Sequence, residues 1–99
     1  MYRLLEAALN VLSPAQRATR TVRIHVEEQL TRKPIAGASI RVNNGPWKIY
    51  NGPEEPVEAD LHAGRRVRVE VSKPGWIDPR PHPYVDTPVE EAEIHLGLM

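Results

Sequence analysis

The sequence predicts an all-β protein: an antiparallel β-sandwich of about seven strands, preceded by a short N-terminal helical extension. Three observations predict it. From Thr21 onwards, apolar residues recur with a period of two in one stretch after another. Between those stretches stand short clusters of Gly, Pro and Asn, the residues that turn a chain. The apolar supply is also almost wholly aliphatic: two Trp, three Tyr and no Phe leave Val, Ile and Leu to fill a core, which suits pleated strands. With 99 residues there is room for one such domain and not two. The expected division is a helical arm over residues 1–19 and a sandwich over residues 20–99.

Residues 2–12 carry a helical period instead. Leu5, Leu9 and Leu12 fall on one stripe with Leu4 and Ala8 beside them, while Arg3, Glu6 and Asn10 lie elsewhere. Ser13-Pro14 closes the segment, because proline disfavours helix at the residue before it. An isolated helix of this length is marginal in water, so its leucines need a surface to bury against.

The strands follow. In "TVRIHVEE", Val22, Ile24 and Val26 face one way and Arg23, His25 and Glu27 the other. "LTRKPIAG" reads as a turn, and "ASIRV" sends Ala38, Ile40 and Val42 inward. Asn44-Gly45-Pro46 interrupts the chain before a short strand in "WKIY". After the loop "NGPEEP", "VEADL" places Val57, Ala59 and Leu61 inside. Ala63-Gly64 then turns into "RRVRVEV", with Val67, Val69 and Val71 inward, until Pro74-Gly75 ends that strand. The proline-rich "DPRPHPYVDTP" crosses one end, and "EAEIHLGL" supplies the last strand through Ile94, Leu96 and Leu98. No helical segment separates successive strands, so no parallel pairing is expected.

Thirteen basic and thirteen acidic side chains cancel, which argues against a nucleic-acid partner, since that role needs a basic surface. The signs run in blocks, basic over residues 1–41 and acidic over residues 81–99, so that cross-strand pairing within the domain or steering of subunit contacts is expected. The absence of cysteine excludes disulfides and thiolate metal sites. The opening "MYRLLEAALNVLSPAQRA" is interrupted by Glu6 and Asn10 and has no small-x-small cleavage site, so the expectation is a chain made in the cytoplasm without a signal peptide. No stretch reaches the roughly twenty apolar residues of a membrane span.

"RKPIAGASIRV", followed downstream by "LHAGRRVRVEVSKPGW", resembles the carboxypeptidase regulatory-like family, a prealbumin-like (transthyretin-like) group of Greek-key sandwiches. Pro34, Gly37 and Ala38 match its first motif; Leu61, Ala63, Gly64, Val67, Val69, Val71, Gly75 and Trp76 match its second; residues 92–98 match its closing strand. The resemblance implies a hairpin at Gly64 and a Trp76 that covers the end of the sandwich. It implies little about activity, because these motifs encode turns and core faces. Two segments depart from the family pattern, "NNGPWKIYNGPEEP" and the helical arm, and a specific role is expected there.

No catalytic constellation stands out. Ser39 in "GASIR" lacks the second glycine of a nucleophile elbow and reads as a strand residue. The purine-pathway hydrolases that share the transthyretin-like fold carry a Tyr-Arg-Gly-Ser signature that this sequence lacks. His25, His62, His82 and His95 show no metal-ligand spacing, and solvated rings are expected for those on strands. Asp60 with His62, and His25 with Glu27, share strand faces and are weak candidates for metal binding or proton relay. Glu54-Glu55 and Glu90-Glu91 lack the graded oxygen spacing of a Ca²⁺ loop. "PRPHPY" suits a rigid loop or a guarded edge strand. Trp47 and Tyr50 are the candidates for stacking on a sugar or peptide.

The function expected from these features is a non-catalytic structural or interaction module, a subunit of a larger protein assembly such as a phage capsid or tail decoration layer. It would dock through Leu4, Leu5, Leu9 and Leu12 of the arm, with no catalytic residue, metal, cofactor, nucleic acid or membrane. The alternative is a carbohydrate- or peptide-binding module using Trp47 and Tyr50.

Overall fold

The structure is a computed structural model and describes residues 19–99. The expected helix, with Leu4, Leu5, Leu9 and Leu12, lies outside the described residues. Seven strands follow in order: β1 (Thr19–Glu28), β2 (Ser39–Val42), β3 (Trp47–Ile49), β4 (Val57–His62), β5 (Arg66–Ser72), β6 (Tyr84–Asp86) and β7 (Glu93–Leu98). They form a three-stranded sheet in the order β4-β1-β7 and a four-stranded sheet in the order β3-β2-β5-β6. The architecture is all-β and sandwich-like, and no helix occurs among the described residues.

Strand alternation builds the core as the sequence demands. Val22, Ile24 and Val26 of β1 are wholly buried, and Ile24 lies opposite both Val57 and Ile94. From the other sheet Ile40, Val67 and Val69 meet them, with Leu61, Leu96 and Leu98 completing the filling. Trp76 packs partly buried against this cluster. At about 1.5–3 kcal/mol for each fully buried aliphatic side chain, this cluster is the main favourable term in the fold.

Two expectations are corrected. β1 and β7 pair in parallel, Arg23 opposite Glu93 and His25 opposite His95, whereas every other strand pair is antiparallel. A parallel neighbour needs a long crossover, and here β2 to β6 supply it in place of a helix. The Ala63-Gly64 turn is also not a hairpin. Arg65 N–H donates to the His62 carbonyl at 3.2 Å and Gly64 takes a φ of 79°, a type II pattern. Yet β4 pairs with β1 and β5 with β2, so the turn carries the chain from one sheet to the other. Leu61 and Val67, on either side of it, then enter the core from opposite layers.

The Pro74-Gly75 turn ends β5 as predicted. Trp76 N–H donates to the Lys73 carbonyl at 3.0 Å, and Gly75 follows Pro74 with a φ of 84°. Beyond it Ile77 and Met99 exchange both backbone hydrogen bonds, which ties the end of β7 to the proline-rich segment. Within that segment β6 is a short strand at the sheet margin, where prolines do no harm because no further strand needs their missing N–H.

Candidate functional site

The outward side of β1 and β7 gathers a cluster of ionisable groups. Alternation sends Arg23, His25 and Glu27 outward from β1 and Glu93 and His95 outward from β7. The parallel register then sets His25 directly beside His95 and Arg23 beside Glu93. Gly97 lies opposite Glu27 and presents no side chain, so the Glu27 carboxylate leans toward His95.

The two imidazoles stack, with centroids 4.7 Å apart and planes within 10°. His25 Nε2 lies 3.4 Å from Glu93 Oε1, and His95 Nε2 lies 3.6 Å from Glu93 Oε2. One carboxylate thus addresses both rings. On the far side of each ring stands a second partner: Glu27 Oε2 is 3.2 Å from His95 Nδ1, and the Tyr50 hydroxyl is 3.5 Å from His25 Nδ1. Arg23 closes the group, its guanidinium 3.0 Å from Glu93 Oε1. Burial, the largest single influence, pushes the Glu93 carboxyl up, but Arg23, His25 and His95 together hold it below the ordinary carboxylate value.

His25 is the unusual member. Its ring is buried between His95 and the edge-on ring of Tyr50, which corrects the expectation of a solvated ring. Its Nε2 is shielded from water and makes no hydrogen bond of good geometry, with Glu93 Oε1 3.4 Å away acting on it chiefly through charge. Beside His95, a groove of about 310 Å³ opens, with Gln29, Arg32 and Arg80 on its walls.

The other sequence candidates are dispersed. Tyr50 is not a ligand-facing ring: it is 1% exposed, its backbone bonded to Gly37 and Ala38, and its side chain belongs to the core. Burial first, and the Glu27 charge second, raise its phenol above the ordinary value. Trp47 is half-exposed on β3, with the Arg41 guanidinium 5.0 Å from its ring centroid. Arg41 in turn forks onto Glu70, which also accepts from Arg68 Nε, and Arg68 lies opposite Tyr84. Asp60 accepts a hydrogen bond from Thr21 Oγ1 at 2.7 Å and lines a shallow cavity together with the exposed His62. Ser39 is a strand residue, as its sequence context implied.

Sequence reasoning placed His25 and Glu27 on one face but missed Glu93 and His95 as their neighbours. The signal present was the pair of outward histidines in "RIHVE" and "EIHLG"; what joins them is a register that spans sixty-eight residues of separation between Glu27 and His95. Comparison with protein-family profiles, with characterised proteins and with solved structures finds no match to this chain.

Proposed function

We propose that the chain is a non-catalytic interaction module that assembles with further protein subunits, its sandwich serving as a rigid platform and the segment before β1 as a docking arm. The observation that carries this reading is an apolar end where β1 and β7 finish. Leu30, Ile77 and Met99 are 90%, 67% and 63% exposed. They are drawn together by backbone bonds from Gln29 to Leu98 and between Ile77 and Met99. Large apolar side chains gathered in the open mark a contact surface rather than a random scatter. The leucine stripe of the arm has matching chemistry.

A Greek-key path and membership of the carboxypeptidase regulatory-like family belong to the same proposal. The connection from β3 to β4 changes sheets beside the small cavity lined by Ile40, Lys48 and Val57, and β4 then returns to lie against β1. Consecutive strands β3 and β4 thus lie in different sheets while β4 pairs back onto β1, a crossing between layers that supports a Greek key.

Light scattering on the full chain tests the assembly. A mass above the 11.2 kDa of one chain is expected, falling to that value in L5S/L9S and in L30S/I77S. A native chain that stays at one-chain mass at all concentrations overturns self-assembly.

A second reading rests on the outward row Trp47, Arg41, Glu70, Arg68 and Tyr84 across the four-stranded sheet, an aromatic at each end and charge between. Such a row suits a glycan or an extended peptide. Tryptophan fluorescence titrated with oligosaccharides, with Trp47→Ala as control, reports it; an unchanged spectrum sinks it.

A further inference from the structure

We propose that His25, Glu93 and His95 form a binding site for a divalent first-row metal ion of the zinc type, pinning β1 to β7. His25, Glu93 and His95 each offer a donor atom within 4.8 Å of the others, and the ligands assigned are His25 Nε2, His95 Nε2 and the Glu93 carboxylate, because both Nε2 atoms stand beside that carboxylate. The inference does not rest on the assembly reading, since all three ligands belong to one chain.

The separations carry the argument. Zinc binds imidazole nitrogen and carboxylate oxygen at about 2.0–2.2 Å in a tetrahedron, which puts neighbouring ligand atoms about 3.3 Å apart. The observed nitrogen-to-oxygen distances are 3.4 Å from His25 to Oε1 and 3.6 Å from His95 to the other oxygen, Oε2, so the Glu93 carboxylate must turn to present one oxygen to both. To complete the set, the two Nε2 atoms must draw together from their stacked arrangement. His95 can make that movement, because its side chain is 45% exposed and Glu27 holds it by one hydrogen bond only. Two imidazoles and a carboxylate select borderline cations over calcium or magnesium, which take oxygen. Three protein ligands leave a fourth position for water.

The outer hydrogen bonds are those a metal site requires. With the metal on Nε2, each ring carries its proton on Nδ1 and donates it outward. His95 would donate to the Glu27 carboxylate and His25 to the Tyr50 oxygen, the arrangement that fixes ring orientation and strengthens the ligand. Independently, His25 Nε2 points to a missing partner. Its side chain is only 10% exposed, the atom has no hydrogen bond of good geometry, and it faces the cluster. Buried polar atoms without partners are rare, and a bound cation supplies one.

Arg23 is the competing cation, 3.0 Å from Glu93 Oε1. Its side chain is half-exposed and free to swing into water when metal takes that oxygen. Arg32 lies farther out, 3.9 Å from the other carboxylate, Glu27. Arg23→Gln should therefore tighten metal binding, which a purely structural ion pair would not predict.

The test is titration of the tag-free, full-length chain with Zn²⁺ by calorimetry, and with Co²⁺ followed by visible absorption. One site per chain is expected, with the intense bands of four-coordinate Co²⁺ and a melting temperature that rises with Zn²⁺. His95→Ala, at an exposed position, should weaken Zn²⁺ at least about 100-fold, and Glu27→Gln about 10-fold. Glu93→Gln should abolish the intense Co²⁺ bands. Zn²⁺ bound equally well by native protein and His95→Ala, or no saturable binding by the native chain, overturns the proposal. So does a Co²⁺ spectrum of the weak six-coordinate kind.

Discussion

Replacing Ile24 by alanine probes the packing of the sandwich at its centre. Ile24 sits in the middle strand of the three-stranded sheet, wholly buried, with Val57 on one side and Ile94 on the other. The substitution removes about three methyl or methylene groups, worth about 2.4 kcal/mol of transfer free energy at about 0.8 kcal/mol each. Neighbours on both flanks are held by backbone ladders, so the space cannot fully close. A residual cavity of about 40 Å³, at about 24 cal/mol per Å³, adds about 1 kcal/mol. The expected loss is therefore about 3.4 kcal/mol. A domain of this size holds about 4–12 kcal/mol in all, so the variant should fold marginally. Urea unfolding followed by tryptophan fluorescence should show a lower midpoint with an unchanged slope, and the melting temperature should drop by about 14–27 °C. Ile49→Ala is the control, since Ile49 is 52% exposed on β3 and should change stability by less than about 0.5 kcal/mol. If the two substitutions cost the same, or Ile24→Ala costs under about 1 kcal/mol, the assigned inward face of β1 is wrong.

Two further outcomes follow from local geometry. Gly75→Ala should cost about 1–2 kcal/mol in the same urea assay, because φ is 84° while an added Cβ meets nothing within 4 Å, which isolates the backbone penalty. Hydrogen bonds from Arg41, the leading cause, and from Arg68 hold the Glu70 carboxyl below its ordinary value against the opposing pull of burial. A depressed carboxylate stabilises the fold fully above the ordinary Glu value of about 4.3, and that contribution is lost as pH falls through the lower folded value. Melting curves from about pH 6 to about pH 3 should thus show a smaller acid-side fall in Glu70→Gln than in the native chain, and equal falls would refute the coupling.

How much of this was legible in the sequence varies from element to element. β1, β2, β4, β5 and β7 announce themselves by alternation, because each has one face against the core and one in water, as in Val67, Arg68, Val69 and Glu70. β6 does not. Its three residues lie among prolines whose composition signals a loop, and its pairing with β5 depends on a neighbour distant in sequence. Sheet membership was hidden for the same reason: Gly64 dictates a tight turn but says nothing of which partners wait on either side of it. The histidine cluster was half legible. The outward positions of His25 and His95 follow from alternation alone, but their meeting depends on the parallel pairing of the first and last strands. Tyr50 was misplaced because a tyrosine after a short strand gives no sign of turning inward, and its burial depends on backbone bonds to Gly37 and Ala38.

That parallel pairing is the step on which both the fold and the histidine cluster stand. A nuclear Overhauser spectrum of the full chain addresses it directly. Rings with centroids 4.7 Å apart should give cross-peaks between the His25 and His95 ring protons, alongside backbone contacts placing Ile24 beside Ile94 and Val26 beside Leu96. Strong Hα–Hα contacts of an antiparallel ladder between β1 and β7, or His25 and His95 rings with no mutual cross-peak, would contradict the account.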